Sequence, residues 1–434
     1  MALHPLSSPG RRLWFLIPGD LDTPTGGYRY DRRMLQGLTD LGWRVEHCPL
    51  DPSFPTPTPA ALEQARLCLA AIGDGELVVI DGLAFGALPG LAEAEGPRLR
   101  LVALVHHPLG LETGLTPERA AELCRAEARA LAQARLILVT SHFTHRLLTS
   151  SAGWGLDASR LRVVEPGIDR VLHGLDQGLP LSGTACVRVI DEPAPEPSLA
   201  SAAPDSGRLR LRRDEAEGHD LARGDRKQGR GYQPGALSRR LAAARPPRLL
   251  CVATLTPRKG HDLLLRALAA LRDLPWQLNC VGSFDRDPAW AEQLVRWRDE
   301  LGLAGRVSFL GALSQAELDR RYRRADLFVL PSRFEGYGMV CAEALAHGLP
   351  ILASRVGAIG DLVPVEAGLL VPPDDPLALE GALRRLLEDP ALRLWLVRGA
   401  RAAGARLPGW EAAVAAFAAA LAASVKHPEE DRHG

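Results

Sequence analysis

Apolar residues fall in short, nearly unbroken runs that end at Gly, His or Ser: LWFLIPG from Leu13, ELVVIDG from Glu76, RLVALVHH from Arg100, RLILVTS from Arg135 and LRVVEPG from Leu161. A strand with one wet face alternates apolar and polar residues, so runs without alternation predict strands covered on both faces. The stretches between them are polar with a helical stripe. In YDRRMLQGLTDLG, Met34, Leu35, Leu38 and Leu41 recur at helical spacing and predict an amphipathic helix. Alternation of strand and helix in this way predicts an α/β fold, a parallel sheet with helices on both faces. The same grammar restarts at RLLCVATL from Arg248 and continues through WQLNCVG, RVSFLG, LFVLPS, PILAS and AGLLVPP. Leu264, Ala267, Leu268 and Leu271 stripe the first helix of this second set.

Two such sets predict two doubly wound, Rossmann-like domains, residues 11–173 and 246–400. They would face a central cleft, because open α/β sheets bind ligands beyond the carboxyl ends of their strands. The span 174–245 breaks the pattern. DEPAPEPSLASAAPDSG is rich in Pro, Ala and Ser, and Asp205 to Arg245 carries 11 Lys or Arg against 6 Asp or Glu without apolar periodicity. This composition predicts a disordered, low-complexity insertion or linker, in which CVRVI makes at most one stray strand. An alanine-rich run predicts a final helix over 408–426.

The 434-residue chain is long enough for two full cores. It is 46% hydrophobic with zero formal net charge, which argues against wholesale disorder and against an electrostatic nucleic-acid binder. No apolar run approaches the roughly 20 residues of a spanning helix. The opening run LWFLIP is too short for a signal-peptide core. The expectation is a cytoplasmic protein with at most peripheral contact at the inner face of a membrane. Cys48, Cys68, Cys124, Cys186, Cys251, Cys280 and Cys341 are scattered with no C-x-x-C pair, so reduced and mostly buried thiols are expected.

Chemistry enters with VATLTPRKGHDLLLRAL, where a strand leads through Pro257, Arg258, Lys259 and Gly260 into a helix. Two cations beside the free N–H groups of a helix start can meet an anion; alone, surface cations in a turn are more often simply solvated. RFEGYGMVCAEALAHGLP adds a second helix start, with Gly336 and Gly338 permitting close backbone approach before Met339. A carboxylate beside a phosphate would repel it, so Glu335 and Glu343 make sense pointing at neutral hydroxyls that flank the phosphates. Phosphates between two polyols describe a nucleotide sugar. The plainer alternative is a surface helix whose glutamates favour its N-terminus.

FEGYGMVCAEALAHGLPILAS resembles the E-x7-E segment of family-4 (group 1) retaining glycosyltransferases, enzymes of the two-domain GT-B architecture. The similarity extends through VATLTPRKGHDLLLRAL, CVGSF, RVSFLGALSQAELDRRYRRADLFVLPS and AGLLVPPDDPLALEGALRRLLEDP, covering nearly all of 248 to 390. It is looser in the first half, where TPTGGYRYDRRML, LVALVHHPLGLETGL, ILVTS and VVEPGID follow the family's order. The resemblance implies that Glu335 contacts the donor sugar, Glu343 the nucleotide ribose and Lys259 the pyrophosphate. It places Gly338, Met339 and Val340 where backbone N–H groups meet sugar and phosphate, Gly26 and Gly27 in a loop closing over the donor, and His106 against the transferred sugar, with His107 as the fallback. Thr254 stands where many relatives carry an arginine, which leaves open whether Arg258 supplies that charge, and Asp361 stands where a glutamate is common.

The implied reaction moves a hexose from a UDP-, GDP- or ADP-sugar to a glycan, lipid or small-molecule acceptor, with Glu112 near the acceptor side, no nucleic-acid partner and no cofactor. The D-x-D patterns Asp20 to Asp22 and Asp285 to Asp287 are short enough to arise by chance, and no metal is expected. A nucleotide-sugar epimerase, a phosphorylase or a non-catalytic sensor on the same fold remain as alternatives. A nicotinamide dehydrogenase is weaker, since Cys341 takes the place of the third glycine of G-x-G-x-x-G.

Overall fold

The computed structural model describes residues 12–150, 154–169 and 245–425. The span 174–245 therefore lies, but for its last residue, outside the described residues. The first six-stranded sheet is formed by β1 (Arg12–Pro18), β2 (Arg44–Leu50), β3 (Leu77–Asp81), β4 (Arg100–Val105), β5 (Leu136–Val139) and β6 (Leu161–Val163), in the order β2-β1-β3-β4-β5-β6. The second holds β7 (Arg248–Val252), β8 (Gln277–Val281), β9 (Val307–Phe309), β10 (Leu327–Leu330), β11 (Ile351–Ser354) and β12 (Gly368–Val371), in the order β12-β11-β10-β7-β8-β9. Every pairing is parallel. The central strands β3, β5, β10 and β11 are buried along their whole length, as unbroken apolar runs require.

Strand order reverses between β1 and β3 in the first sheet and between β7 and β10 in the second. Ligands of doubly wound sheets sit beyond the carboxyl ends at such switch points. At or just beyond the carboxyl ends of these four strands stand the glycine pair, Asp81, Lys259 and Glu335.

Three features depart from the sequence expectations. The strand β2 has mostly exposed and half-buried residues and lies at the sheet edge, so its RVEHCPL sequence lacks the apolar run of its neighbours. Leu41, at the end of the expected stripe, caps the Gly26–Asp40 helix and is 55% exposed. Cys48 of β2 and Cys68 of the adjacent Pro59–Ala70 helix stand side by side with Cα atoms 7.5 Å apart, a juxtaposition not expected of scattered thiols. A spacing of 20 residues gave no sign that an edge strand and the next helix bring the two together.

The last helix, Trp410–Val425, returns from the second domain to the first. Trp410, Val414, Phe417 and Leu421 are buried in one core with Leu13, Phe15, Tyr30 and Met34. A Cβ on Gly37 would lie 2.4 Å from Val414, so the glycine lets the two helices approach at backbone distance. Among the described residues no helix is long and apolar enough to cross a membrane.

Candidate active site

The wall contributed by the second domain is built from the loops after β7 and β10. After β7 the chain makes a short 3-10 turn, Pro257–Lys259, and Gly260 takes φ +68° before the His261–Ala269 helix. A Cβ at Gly260 would stand 2.0 Å from the Pro331 carbonyl oxygen, so both conformation and space demand glycine. The two loops are fastened together. Arg333 N donates to the Arg258 carbonyl at 2.7 Å, Arg258 Nη1 to the Phe334 carbonyl at 3.1 Å, and the Arg333 guanidinium grips Asp262 at 2.9 and 3.0 Å. Held in this way, Lys259 Nζ donates to Glu335 Oε1 at 2.6 Å, and Ser332 Oγ donates to the same oxygen at 2.7 Å. Among the described residues no hydrogen bond reaches Glu335 Oε2, an acceptor left for a ligand hydroxyl.

Burial pushes Lys259 below the usual lysine range against the pull of Glu335. Burial would raise Glu335, but Lys259, Arg258 and the hydrogen bonds outweigh it and hold the carboxyl low. Next along the chain, Gly338 adopts φ +89° and opens the Met339–Ala346 helix, whose first N–H groups have no partner one turn earlier in the helix.

The opposite wall comes from the first domain. Gly26 and Gly27 begin the Gly26–Asp40 helix, with Thr25 as its cap, so the expected closing loop is here a helix start. A Cβ on Gly26 would meet Met339 Sδ at 3.2 Å and one on Gly27 the His106 ring at 3.5 Å, while a Cβ on Gly336 would strike the His106 carbonyl oxygen at 2.5 Å. Glycine at 26 and 336 lets the two domains close on one another, and at 27 it leaves room for the His106 ring within the first. His106 directly follows β4 and places Nε2 3.0 Å from Asp31 Oδ1 and 3.3 Å from Asp81 Oδ2. His107 turns instead to Glu112, with Nε2 3.3 Å from Oε2, and Arg258 Nε lies 3.1 Å from Glu112 Oε1. Burial would raise the Glu112 carboxyl, yet His107 and Arg258 pull it down to about 2.

Between the walls lies a cavity of about 280 Å³ lined by Gly26, Gly27, His106, Arg258, Lys259, Glu335, Gly338, Met339 and Val340, joined by His107 and Glu112. Glu343 is not part of this lining. Its Oε1 accepts from Arg29 Nη1 and its Oε2 from the Tyr322 hydroxyl at 2.9 Å. A larger hollow of about 530 Å³ between Arg33, Asp169 and Trp410 shares none of these residues. Among the described residues, Asp31, Asp81 and His106 are the one set offering three possible metal-ligand atoms within 4.8 Å, and hydrogen bonds between them already engage those atoms.

Sequence reasoning missed Arg29, Asp31, Asp81, Tyr322 and Ser332. Asp31 had a signal. It lies three residues before Met34 and four before Leu35, so an acid stands on the stripe that otherwise faces the core. Arg29 and Tyr322 had none, since their contact with Glu343 joins parts of the chain 314 and 21 residues apart.

Residues 246–389 match the family "Glycosyl transferases group 1". A relative from Thermomonospora curvata named D-inositol 3-phosphate glycosyltransferase is 31% identical over 313 residues, covering 70% of this chain and 60% of that protein. One of the same name from Salinispora tropica is 37% identical over 158 residues, covering 35% and 33%. The chain thus matches from a third to three fifths of the length of these relatives. Among solved structures, a sucrose-phosphate synthase from Thermosynechococcus elongatus superposes with TM-score 0.65 at 22% identity, over 94% of this chain and 98% of that one. Anabaena HepE in complex with UDP-glucose superposes with TM-score 0.61 at 17% identity, over 94% and 99%.

Proposed function

Residues 246–389 form a group 1 glycosyl transferase domain within a chain of GT-B architecture, and from that premise we propose that the protein is a retaining hexosyltransferase that takes its sugar from a nucleotide diphosphate. The observation that carries the reading is the hydrogen-bonded Lys259–Glu335 pair at the β7/β10 switch point, beside the Gly338 helix start and opposite His106. A sugar nucleotide needs a cation for its diphosphate and an acceptor for its sugar hydroxyls, and this pair supplies both within one hydrogen bond. That HepE is solved with UDP-glucose on the same fold supports the donor class.

In transfer the bond from the anomeric carbon to phosphate oxygen breaks, negative charge grows on the leaving diphosphate and the sugar gains oxocarbenium character. Fixed cations and N–H dipoles stabilise growing charge best because they need not reorganise. Lys259, Arg258 and the amides at Gly338, Met339 and Val340 take that part. Glu335 Oε2 orients the sugar through its hydroxyls, and His106 closes the opposite face. The acceptor enters along the first-domain wall near His107 and Glu112; its hydroxyl oxygen bonds to the anomeric carbon on the face that the diphosphate leaves, which retains the configuration, and its proton passes to the leaving phosphate oxygen.

Lysine and dipoles perform the electrostatic work that a metal does elsewhere, so turnover is expected to survive exhaustive chelation. Turnover abolished by EDTA and restored by magnesium or manganese would contradict this. The acceptor is a glycan, lipid or small molecule, and the protein works in the cytoplasm. Incubation with UDP-, GDP- and ADP-sugars, followed by the anomeric configuration of the product, tests donor class and stereochemistry together; an inverted product would remove the retaining assignment.

A further inference from the structure

We propose that Asp31 is a positioning residue for the transfer reaction: from beneath the cleft it joins Asp81 in clasping Nε2 of His106, so that the ring keeps its proton and one orientation against the donor. The proposal rests on the reading of the cleft as a glycosyl-transfer site. Asp31 lies in the second turn of the Gly26–Asp40 helix and Asp81 at the end of β3, and they are 1% and 2% exposed. Their oxygens stand 3.0 and 3.3 Å from the same ring nitrogen. Two acceptors on one nitrogen require a hydrogen there, which fixes Nε2 as a donor.

Two buried carboxylates beside one ring also favour the imidazolium over the neutral form. Burial opposes charge on His106, but Asp31, through its charge and hydrogen bond, and then Asp81 outweigh it and raise the ring above its ordinary range. Burial likewise raises Asp31, with His106 and Arg32 opposing and Asp81 adding to the rise. Apart from Arg286, a further cation on the cavity lining, the groups described around the ring are neutral or committed elsewhere. Tyr30 meets the ring edge-on at 5.4 Å between centroids, and Gly27 and Gly336 close upon the residue. Thr140 Oγ1 donates to the His106 carbonyl oxygen at 3.2 Å. Neighbouring His107 and Arg258 are engaged with Glu112, and Lys259 with Glu335. Asp81 also holds the Leu83 N–H at 2.9 Å, which ties the clasp to the first turn of the Gly82–Phe85 helix.

A ring held in this way serves the reaction as a cation on the wall opposite Lys259, adding to the fixed field that meets the charge growing on the leaving phosphate. Asp31 stands on the floor of the cavity but is only 1% exposed and spends Oδ1 on the ring, so in this proposal it acts through His106.

The variant Asp31→Asn keeps the shape and removes the charge. In the intact chain labelled with carbon-13 histidine, and with the His106 signal assigned through His106→Gln, the wild-type ring is expected to keep its protonated shift beyond pH 8. In Asp31→Asn it is expected to lose the proton at least about one pH unit lower, a roughly tenfold loss of proton affinity. Nucleoside diphosphate release should stay level over this range in the wild type. In Asp31→Asn it should fall about tenfold as pH rises, through kcat and with donor KM unchanged. An Asp31→Asn protein with the wild-type titration and pH profile would overturn the proposal. Should that variant fail to fold, the wild type decides alone: a His106 ring that titrates near the ordinary value of about 6.5 overturns it. A protonated His106 in a protein that releases diphosphate from no sugar nucleotide would overturn the role in transfer while the clasp itself stands.

Discussion

Arg29 of the first domain donates a hydrogen bond to the Glu343 carboxylate of the second, 314 residues further along the chain. The same guanidinium reaches Asp169 at 2.7 Å, and Arg33 reaches Asp169 at 2.6 Å, so one helix of the first domain is tied at two points. Glu343 is the residue to which the sequence resemblance gives the donor ribose. In this closed arrangement both its oxygens are engaged and it lies outside the cavity lining. A donor that uses Glu343 must share it with Arg29 or displace it, and affinity is reduced by the fraction of molecules in which the contact is closed. Arg29→Gln is therefore expected to tighten binding of the accepted sugar nucleotide by about 3- to 10-fold in titration calorimetry. Weaker binding would mean that Arg29 orients Glu343 for the ribose.

The two glutamates should separate kinetically. In the ribose role that the resemblance implies, Glu343→Gln would remove a charged hydrogen bond that is the same in ground and transition states, so donor KM should rise by a factor corresponding to about 1 to 3 kcal/mol with kcat nearly constant. Glu335→Gln keeps an acceptor beside Lys259 while losing charge at the sugar, so kcat should fall, by about 100-fold, more than KM changes. Glutamine is preferable to alanine here, because leaving Lys259 buried and unpaired costs about 3 to 5 kcal/mol of stability. Equal effects of both substitutions on KM alone would remove the distinction.

The terminal helix belongs energetically to the first domain. Phe417 is fully buried and stacks on Phe15 with ring centroids 6.4 Å apart. Phe417→Ala should cost about 3 to 5 kcal/mol by the usual core-cavity rule. In thermal unfolding the loss should appear in the transition of the first domain. A shift confined to the second domain would contradict this packing.

Glu127 supplies a pH dependence of stability. It is 1% exposed, its Oε2 accepts the Leu109 N–H at 2.7 Å and burial raises its pKa to about 8. A carboxyl whose folded-state pKa lies above its unfolded value contributes stability present below the unfolded pKa and lost as pH rises through the folded one. Stability should therefore decline between about pH 4.5 and pH 8. Glu127→Gln should flatten that decline and raise Tm by roughly several degrees at pH 9, with little effect at pH 5. Parallel Tm profiles for the two proteins would contradict the assignment.

The division between what the sequence disclosed and what it withheld follows from how each feature is encoded. Strands buried on both faces, such as β5 and β10, are written as local apolar runs and were legible. The edge strand β2 meets solvent and carries no such run. Lys259 and Glu335 were legible because glycine-punctuated turns mark them. Their hydrogen bond spans 76 residues and required the parallel pairing of β7 with β10. Arg29 has no local mark. An arginine one turn into a polar helix reads as solvated until the second domain brings Glu343 against it. Asp31 was open to recognition as an acid on an apolar stripe, but its partner at the end of β4 was set by the sheet.

The central claim is that Lys259 and its partners act on a nucleotide sugar. The most direct measurement is release of nucleoside diphosphate from a panel of UDP-, GDP- and ADP-sugars by the wild-type chain and by Lys259→Ala. Turnover is expected with at least one donor and is expected to fall about 100-fold or more in the variant, since the lysine meets charge that grows only as the bond breaks. The same rate of release in both proteins, or none from any donor by the wild type, would contradict the account.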